Sequence, residues 1–262
     1  MTENGHAASR RGVLRGALAA AGSALLTGCD RLSQTPAVVG VLSSVQHLSR
    51  AVHRGLVGPH AMAQEFGPED IAPQFRSNGT LMPRDADYQA HLAAAFADYR
   101  LSIGGLVERP QAFTLAELRA LPSRTQITRH DCVEGWSCIG KWTGVPLAHL
   151  LGMARPLPAA RYVLFRCYDS MDAPAPGRDS RYYESIDLDE ARHPQTLVAY
   201  DLNDRALPVS NGAPLRLRVE RQLGYKHAKY LQSIELVERF DQLRGGKGGY
   251  WEDQGYEWYA GI

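Results

Sequence analysis

Apolar positions along this chain fall into two regimes. Near the start, Val38, Val41, Leu42, Val45, Leu48, Val52 and Leu56 recur every three or four residues, which predicts an amphipathic helix over 37–57. From Gly58 to Tyr88 the text turns rich in Pro, Gly and Asp and loses any period. A loop of that length inside a compact domain is usually functional. Beyond it the spacing shortens to alternation and brief apolar runs. Tyr99–Val107 reads as a strand broken by a turn or bulge at Gly104-Gly105. Arg124–Arg129 and Arg161–Tyr168 read as strands, and "RYYESIDLDEARHP" (181–194) as a strand followed by a short helix. "TLVAYDL", "PLRLRVE" and "SIELVERF" predict three more strands, with Asn203-Asp204 as a hairpin turn. Two helices punctuate them. Thr114 to Glu117 spells a capping box that opens one, stopped before Pro122, and Val145–Met153 gives the other. The sum is an α+β fold: strand-rich mixed sheets, short helices and long loops. No βαβ alternation and no G-x-G-x-x-G occurs, which argues against a Rossmann domain.

The first 29 residues follow a different rule. Arg10 and Arg11 precede an uncharged small-and-apolar run from Gly16 to Gly28. That run is shorter than the roughly 20 residues needed to span a bilayer. A charged start, a short apolar stretch and a small residue before a cut describe a signal peptide, and the paired Arg gives it a twin-arginine look. "LTGC" ends it like a lipobox, so Cys29 is a candidate for acylation; ordinary cleavage nearby is the alternative. The expected organisation is a signal peptide over 1–29, an N-terminal helix and extended segment over 30–98, an oxidoreductase domain over 99–240, and an aromatic, Gly-rich tail over 241–262. The expected location is the periplasm, with inner-membrane anchoring if Cys29 is lipidated.

Composition adds limits. The chain of 262 residues is 44% hydrophobic and 22% charged, as soluble globular proteins are, and its net charge of +1 gives no bulk attraction to nucleic acid. Of the four cysteines, Cys132, Cys138 and Cys167 lie beyond Cys29. In an oxidising compartment an odd number leaves one unpaired within the chain. Cys132 and Cys138 stand in "RHDCVEGWSCIGKWTGVPL" (129–147) with five residues between them. Structural zinc sites prefer closer pairs and need a second pair. A disulfide between the two is geometrically open. A nucleophilic cysteine would need partners that the local pattern does not provide. A soft-metal thiolate is the fourth reading, with Arg129 and His130 placed to favour the ionised form.

The order of motifs resembles one family. "CVEGWS" followed by "GKWTGVPL", then "YYESIDLDEARHPQTLVAYDLNDRALPVSNGAPLRLRVERQLGYKHAKY", is similar to the sulfite oxidase superfamily. The nearest branch holds the periplasmic methionine-sulfoxide reductase catalytic subunit. The resemblance implies a molybdenum-molybdopterin cofactor, with the metal held by one pterin dithiolene and one protein thiolate, which is Cys132 by position. It implies cofactor contacts from Asn78, Cys167, Asn211, Arg216, His227, Ala228 and Lys229. Two departures stand out: Cys167 replaces a Thr of that branch, and Asp131 precedes the ligand where some relatives carry a basic residue. The implied reaction is two-electron oxygen-atom transfer on a small sulfur compound or on methionine sulfoxide. No haem-attachment, flavin or nicotinamide motif occurs in the sequence. Electrons are therefore expected from a membrane b-type or soluble c-type cytochrome. The expected state is a monomer. The alternatives are sulfite oxidation on the same fold, a cofactor-bound sensor without turnover, and an exported disulfide-bearing binding domain without molybdenum. The tail "GGYWEDQGYEWYAGI" is expected to cap the cleft or dock a partner, unless it merely packs.

Overall fold

The structure, a computed structural model, describes residues 35, 48, 51–52, 54–58, 60–171 and 180–262. The signal segment with Cys29, and most of the helix expected over 37–57, lie outside the described residues; 48, 51–52 and 54–57 are helical. The chain divides into two units, Met1–Leu56 and Val57–Ile262, and both sheets belong to the second.

Its strands, among the described residues, are β1 (Arg100–Gly105), β2 (Gln111–Thr114), β3 (Arg124–Asp131), β4 (Ser137–Pro146), β5 (Tyr162–Ser170), β6 (Arg181–Asp187), β7 (Leu197–Leu202), β8 (Arg205–Ala206), β9 (Arg216–Arg218) and β10 (Leu231–Val237). One sheet runs β2-β1-β10-β5-β6, with β1 and β10 parallel and the rest antiparallel. The other runs β3-β4-β7-β8, with β9 added on β7. Helices are short: α1 (Ala86–Ala93), α2 (Leu115–Ala120), α3 (Leu147–Ala154), α4 (Leu188–Arg192) and α5 (Tyr250–Asp253). The fold is α+β, as the pattern of apolar positions requires.

Local signals fix several pieces. Thr114 and Glu117 close their capping box on α2. Asn203 and Asp204 both take positive φ, 52° and 61°, and turn β7 into β8. Gly105 also has positive φ, and a side chain there would lie 2.3 Å from the Leu236 carbonyl oxygen. The core forms where Leu101, Ile103, Val163, Phe165, Ile234 and Leu236 meet the buried face of α3.

β4 is the element that the sequence concealed. It contains Gly140, Lys141, Gly144 and Pro146, poor strand formers taken singly. Gly144 stands there because a Cβ would come within 2.3 Å of the Val198 carbonyl oxygen on β7. Tertiary pairing on both sides therefore selects the strand, and the following helix starts at Leu147 rather than Val145. α1, β2 and α5 are likewise elements that the apolar pattern does not announce.

The Pro/Gly-rich stretch after Gly58 is laced onto the second sheet. Phe66 N–H donates to the Ile127 carbonyl at 2.9 Å and Ala72 N–H to that of Ile139 at 3.0 Å. Phe75 meets Trp142 edge-on, with ring centres 4.9 Å apart. That lacing carries residues 78–80 to the mouth of a cleft.

Candidate active site

β3 ends at Asp131, and the chain turns through Cys132–Trp136 before returning as β4. Cys132 N–H donates to the Trp136 carbonyl at 2.9 Å, and Gly135, at positive φ, donates back to the Cys132 carbonyl at 3.0 Å. This tight loop presents the Cys132 thiol, partly exposed, to a cleft of about 680 Å³. Asn78, Thr80, Asp169, His227 and Lys229 line the same cleft, with Glu134, Tyr225, Trp251 and Tyr256 around its sides. Cys132, Cys138 and Cys167 are all free thiols. Cys138 is buried, faces the Gln74 carbonyl and packs with Phe75 and Trp142.

The groups expected to favour the thiolate do not do so. Arg129 turns outward and pairs with Asp131 at 2.9 Å, so Asp131 faces its own neighbour rather than the cleft. His130 is fully buried, and burial holds it well below its usual range, hence neutral. Burial pushes the Cys132 thiol up; the nearby Glu134 charge adds to this, while Arg216 and Arg76 oppose it. A metal cation bound at the sulfur would decide the balance, because a coordinated thiol loses its proton.

Behind the cleft lies a layer of buried polar groups. "LRLRVE" alternates as a strand, yet both faces are covered: Leu215, Leu217 and Val219 enter the core, and Arg216 and Arg218 are also fully buried. Arg218 is spent on Glu220 and on His130 Nδ1, and it lies over Trp142. Arg216 donates to the Asn211 carbonyl at 3.2 Å and more weakly to Asn78 Oδ1 at 3.5 Å. Burial and the neighbouring Arg218 lower it to about 9. Lys229 Nζ donates to the carbonyls of Asn78 (2.6 Å), Thr80 (2.5 Å) and Ser210 (3.0 Å). Burial and Arg216 bring it down to about 7 against the pull of Asp169, which burial itself pushes up to about 7. His227 donates through Nε2 to the Gln222 carbonyl at 3.0 Å and meets the His130 ring at 5.0 Å. Gly224 has to be glycine, since a Cβ there would lie 2.5 Å from His130 Nε2. Ala228 is buried, and its carbonyl accepts from Leu217 on the arginine strand.

Of the residues picked out in the sequence, Asn78, Cys132, His227 and Lys229 therefore share the cleft, and Asn211, Arg216 and Ala228 form the layer behind it. Cys167 is placed differently. It is fully buried in the core on β5, behind the cleft-lining Asp169, and burial pushes its thiol well above the usual range. Asp169, Glu134, Tyr225 and the tail aromatics join the cleft without a motif to mark them. Asp169 carries one usable signal, its two-residue spacing from Cys167 along a strand.

Among the buried atoms here that lack a partner are Arg216 Nε, Asn211 Nδ2 and His227 Nδ1. Buried polar groups are rarely left unpaired, and two of these are donors beside an excess of positive charge. Such a set suits a polar, anionic group. A pterin with a terminal phosphate fits it, and the Cys132 thiol fits a thiophilic metal.

Residues 89–243 match the oxidoreductase molybdopterin-binding domain family. The chain belongs to that family. It is a molybdopterin-dependent oxidoreductase of the sulfite oxidase family, and its cofactor is molybdenum carried by molybdopterin. It is 36% identical to a putative protein-methionine-sulfoxide reductase subunit YedZ1 of Azospira oryzae, over 97% of this chain and 88% of that one. It is 35% identical to the protein-methionine-sulfoxide reductase catalytic subunit MsrP of Ralstonia nicotianae, over 67% of this chain and 50% of that one. The chain thus spans about half the length of that curated relative. Among solved structures, the sulfane dehydrogenase SoxCD of Paracoccus pantotrophus shares the fold, with a TM-score of 0.52 and 22% identity over 69% of this chain and 46% of that one.

Lys229 offers a direct test of how this family site is held together. Replacing it with Ala frees the Asn78–Thr80 segment and removes a buried cation. A charge-assisted bond is worth about 1.5–3 kcal/mol, so cofactor affinity is expected to fall by roughly 10- to 150-fold. Elemental analysis of purified Lys229→Ala checks this as a loss of molybdenum per chain.

Proposed function

We propose that this protein is a periplasmic sulfoxide reductase acting on methionine sulfoxide. The balanced reaction takes a sulfoxide, two electrons and two protons to a thioether and water. The electrons come one at a time from an external cytochrome, and bound molybdenum supplies the two-electron exchange of the oxygen atom. The observation that carries this reading is the charge of the cleft. Among the described residues that line it, Lys229 is the one cation, and its protons are committed to three carbonyls. The carboxylate of Glu134 stands beside it, while burial pushes Asp169 up toward its protonated, uncharged form. A neutral sulfoxide suits such walls better than the sulfite dianion does.

The residues divide the work. Cys132 would hold the metal. Arg216 Nε and Asn211 Nδ2 would donate to the pterin's polar and phosphate groups, with His227, Ala228, Lys229 and Asn78 shaping that pocket. Cys167 contributes the packed wall behind Asp169 rather than a donor. Asp169, whose Oδ1 has no partner, keeps a proton near neutral pH at the cleft and can give it to the departing oxygen.

Holoenzyme given electrons by a reduced dye is expected to consume methionine sulfoxide and to leave sulfite unoxidised when offered an artificial acceptor. Sulfite oxidation without sulfoxide reduction would reverse the assignment. For location, replacing Arg10 and Arg11 together with Lys is expected to leave uncleaved precursor in the cytoplasm, read by cell fractionation. Normal export of that variant would refute the twin-arginine route.

A further inference from the structure

The cleft lining has two chemical parts. One is the thiol of Cys132 with the polar groups already described. The other is aromatic and comes largely from the C-terminal segment. The Trp251 and Tyr256 rings stack with centres 5.2 Å apart and planes 30° from parallel. Tyr225 meets Tyr256 edge-on at 5.3 Å, and Met171 and Val133 extend the apolar surface. We propose that Trp251 and Tyr256 form a subsite for the apolar part of a methionine sulfoxide carried in an extended peptide.

The wall is held rigidly. Glu252, adjacent to Trp251 in α5, accepts from the buried Lys226 at 2.6 Å, and Lys226 also donates to Glu184 at 2.5 Å. Asp253 accepts from Tyr183 Oη at 2.5 Å and from two backbone N–H groups, those of Gly245 and Lys247. Tyr256 N–H returns to the Trp251 carbonyl at 3.0 Å. A preorganised wall loses little freedom when a ligand docks. Its outer edge is open: Tyr256 is 40% exposed and Val133 41%. A peptide backbone can pass outside while one side chain enters.

The chemistry matches that side chain. Methionine sulfoxide combines a polar S=O group with methylene and methyl groups on either side. The side-chain methylenes and the adjoining peptide can lie on the aromatic faces while the oxygen points to the polar groups. Dimethyl sulfoxide has the same reacting group and no chain to seat. The wall therefore discriminates by what is attached to the sulfur. This proposal rests on the sulfoxide-reductase reading, and its test separates the two.

The test compares wild-type, Trp251→Ala, Trp251→Phe and Tyr256→Ala holoenzymes on a peptide with one internal methionine sulfoxide and on dimethyl sulfoxide. For the peptide, both Ala variants are expected to raise KM about tenfold, the effect of losing one aromatic contact, with kcat within about twofold. Trp251→Phe should recover most of the loss. For dimethyl sulfoxide, kcat/KM should stay within about twofold of wild type. An unchanged KM for the peptide, or an equal loss on both substrates, overturns the subsite. A second measurement does not need turnover. The peptide should quench tryptophan fluorescence of the wild-type holoenzyme saturably, with a midpoint about tenfold higher in Tyr256→Ala. If the wild type reduces neither sulfoxide, the functional reading falls and this titration alone decides the subsite. An absent quench, or an equal midpoint in the two proteins, then overturns it.

Discussion

Cys132→Ala is expected to abolish turnover and to lower molybdenum from about one atom per chain toward none, since no other thiol among the described residues reaches the cleft. Cys138 packs beneath Trp142 and Cys167 lies fully buried behind Asp169, so neither can substitute. Elemental analysis and dye-coupled assay of the purified protein give the answer. A Cys132→Ala protein with full metal content and full activity would remove Cys132 from the site altogether. The variant is expected to fold, because the side chain is partly exposed and its loop is held by backbone bonds to Trp136 and Gly135.

Lys226→Met is expected to destabilise the protein by about 3–5 kcal/mol, the usual result of removing one member of a buried ion cluster. Lys226, Glu184 and Glu252 have no exposed side-chain surface. Burial and the facing Glu252 push Glu184 well above the usual carboxylate range, while Lys226 pulls it back. Burial would lower Lys226, but Glu184 and Glu252 outweigh it and hold its proton more firmly than usual. Without the ammonium, two acids face each other in the core, and α5 loses its tie to Lys226. Urea unfolding reads the loss. The triple variant Glu184→Gln, Lys226→Met, Glu252→Gln is expected to recover a good part of it, because the uncompensated charges are then gone. An unchanged midpoint in Lys226→Met would show that the cluster contributes nothing net.

The two variants probe different layers of legibility. Cys132 stands out in the sequence because its loop, "CVEGWS", is followed by "NGAPLR" and "GYKHAKY" in the order that carries the family resemblance. Lys226 does not, although it sits inside one of those motifs. Its partners come from β6 and α5, 42 and 26 residues away in the chain, and nothing local in the sequence pairs them. Arg216 shows the same limit. Alone it looks like an exposed strand arginine, yet β9 is buried on both faces. The electrostatics of Cys132 also invert. The neighbours in sequence, Arg129 and His130, are respectively paired outward and neutral, while the cations that reach the thiol are the distant Arg216 and Arg76.

By itself the sequence determined the α+β class, the capped start of α2, the hairpin turn at Asn203-Asp204 and the family. Each rests on short-range chemistry: side-chain period, a cap, a positive φ, or a motif kept in order. The tertiary structure decided that a Gly- and Pro-bearing stretch becomes β4, that Cys167 is buried in the core rather than lining the cleft, and that the C-terminal aromatics line the same cleft as the thiol. Those outcomes depend on close approach between segments far apart in the chain. Gly144 against the Val198 carbonyl and Glu252 on Lys226 are two such approaches, and no local pattern encodes either.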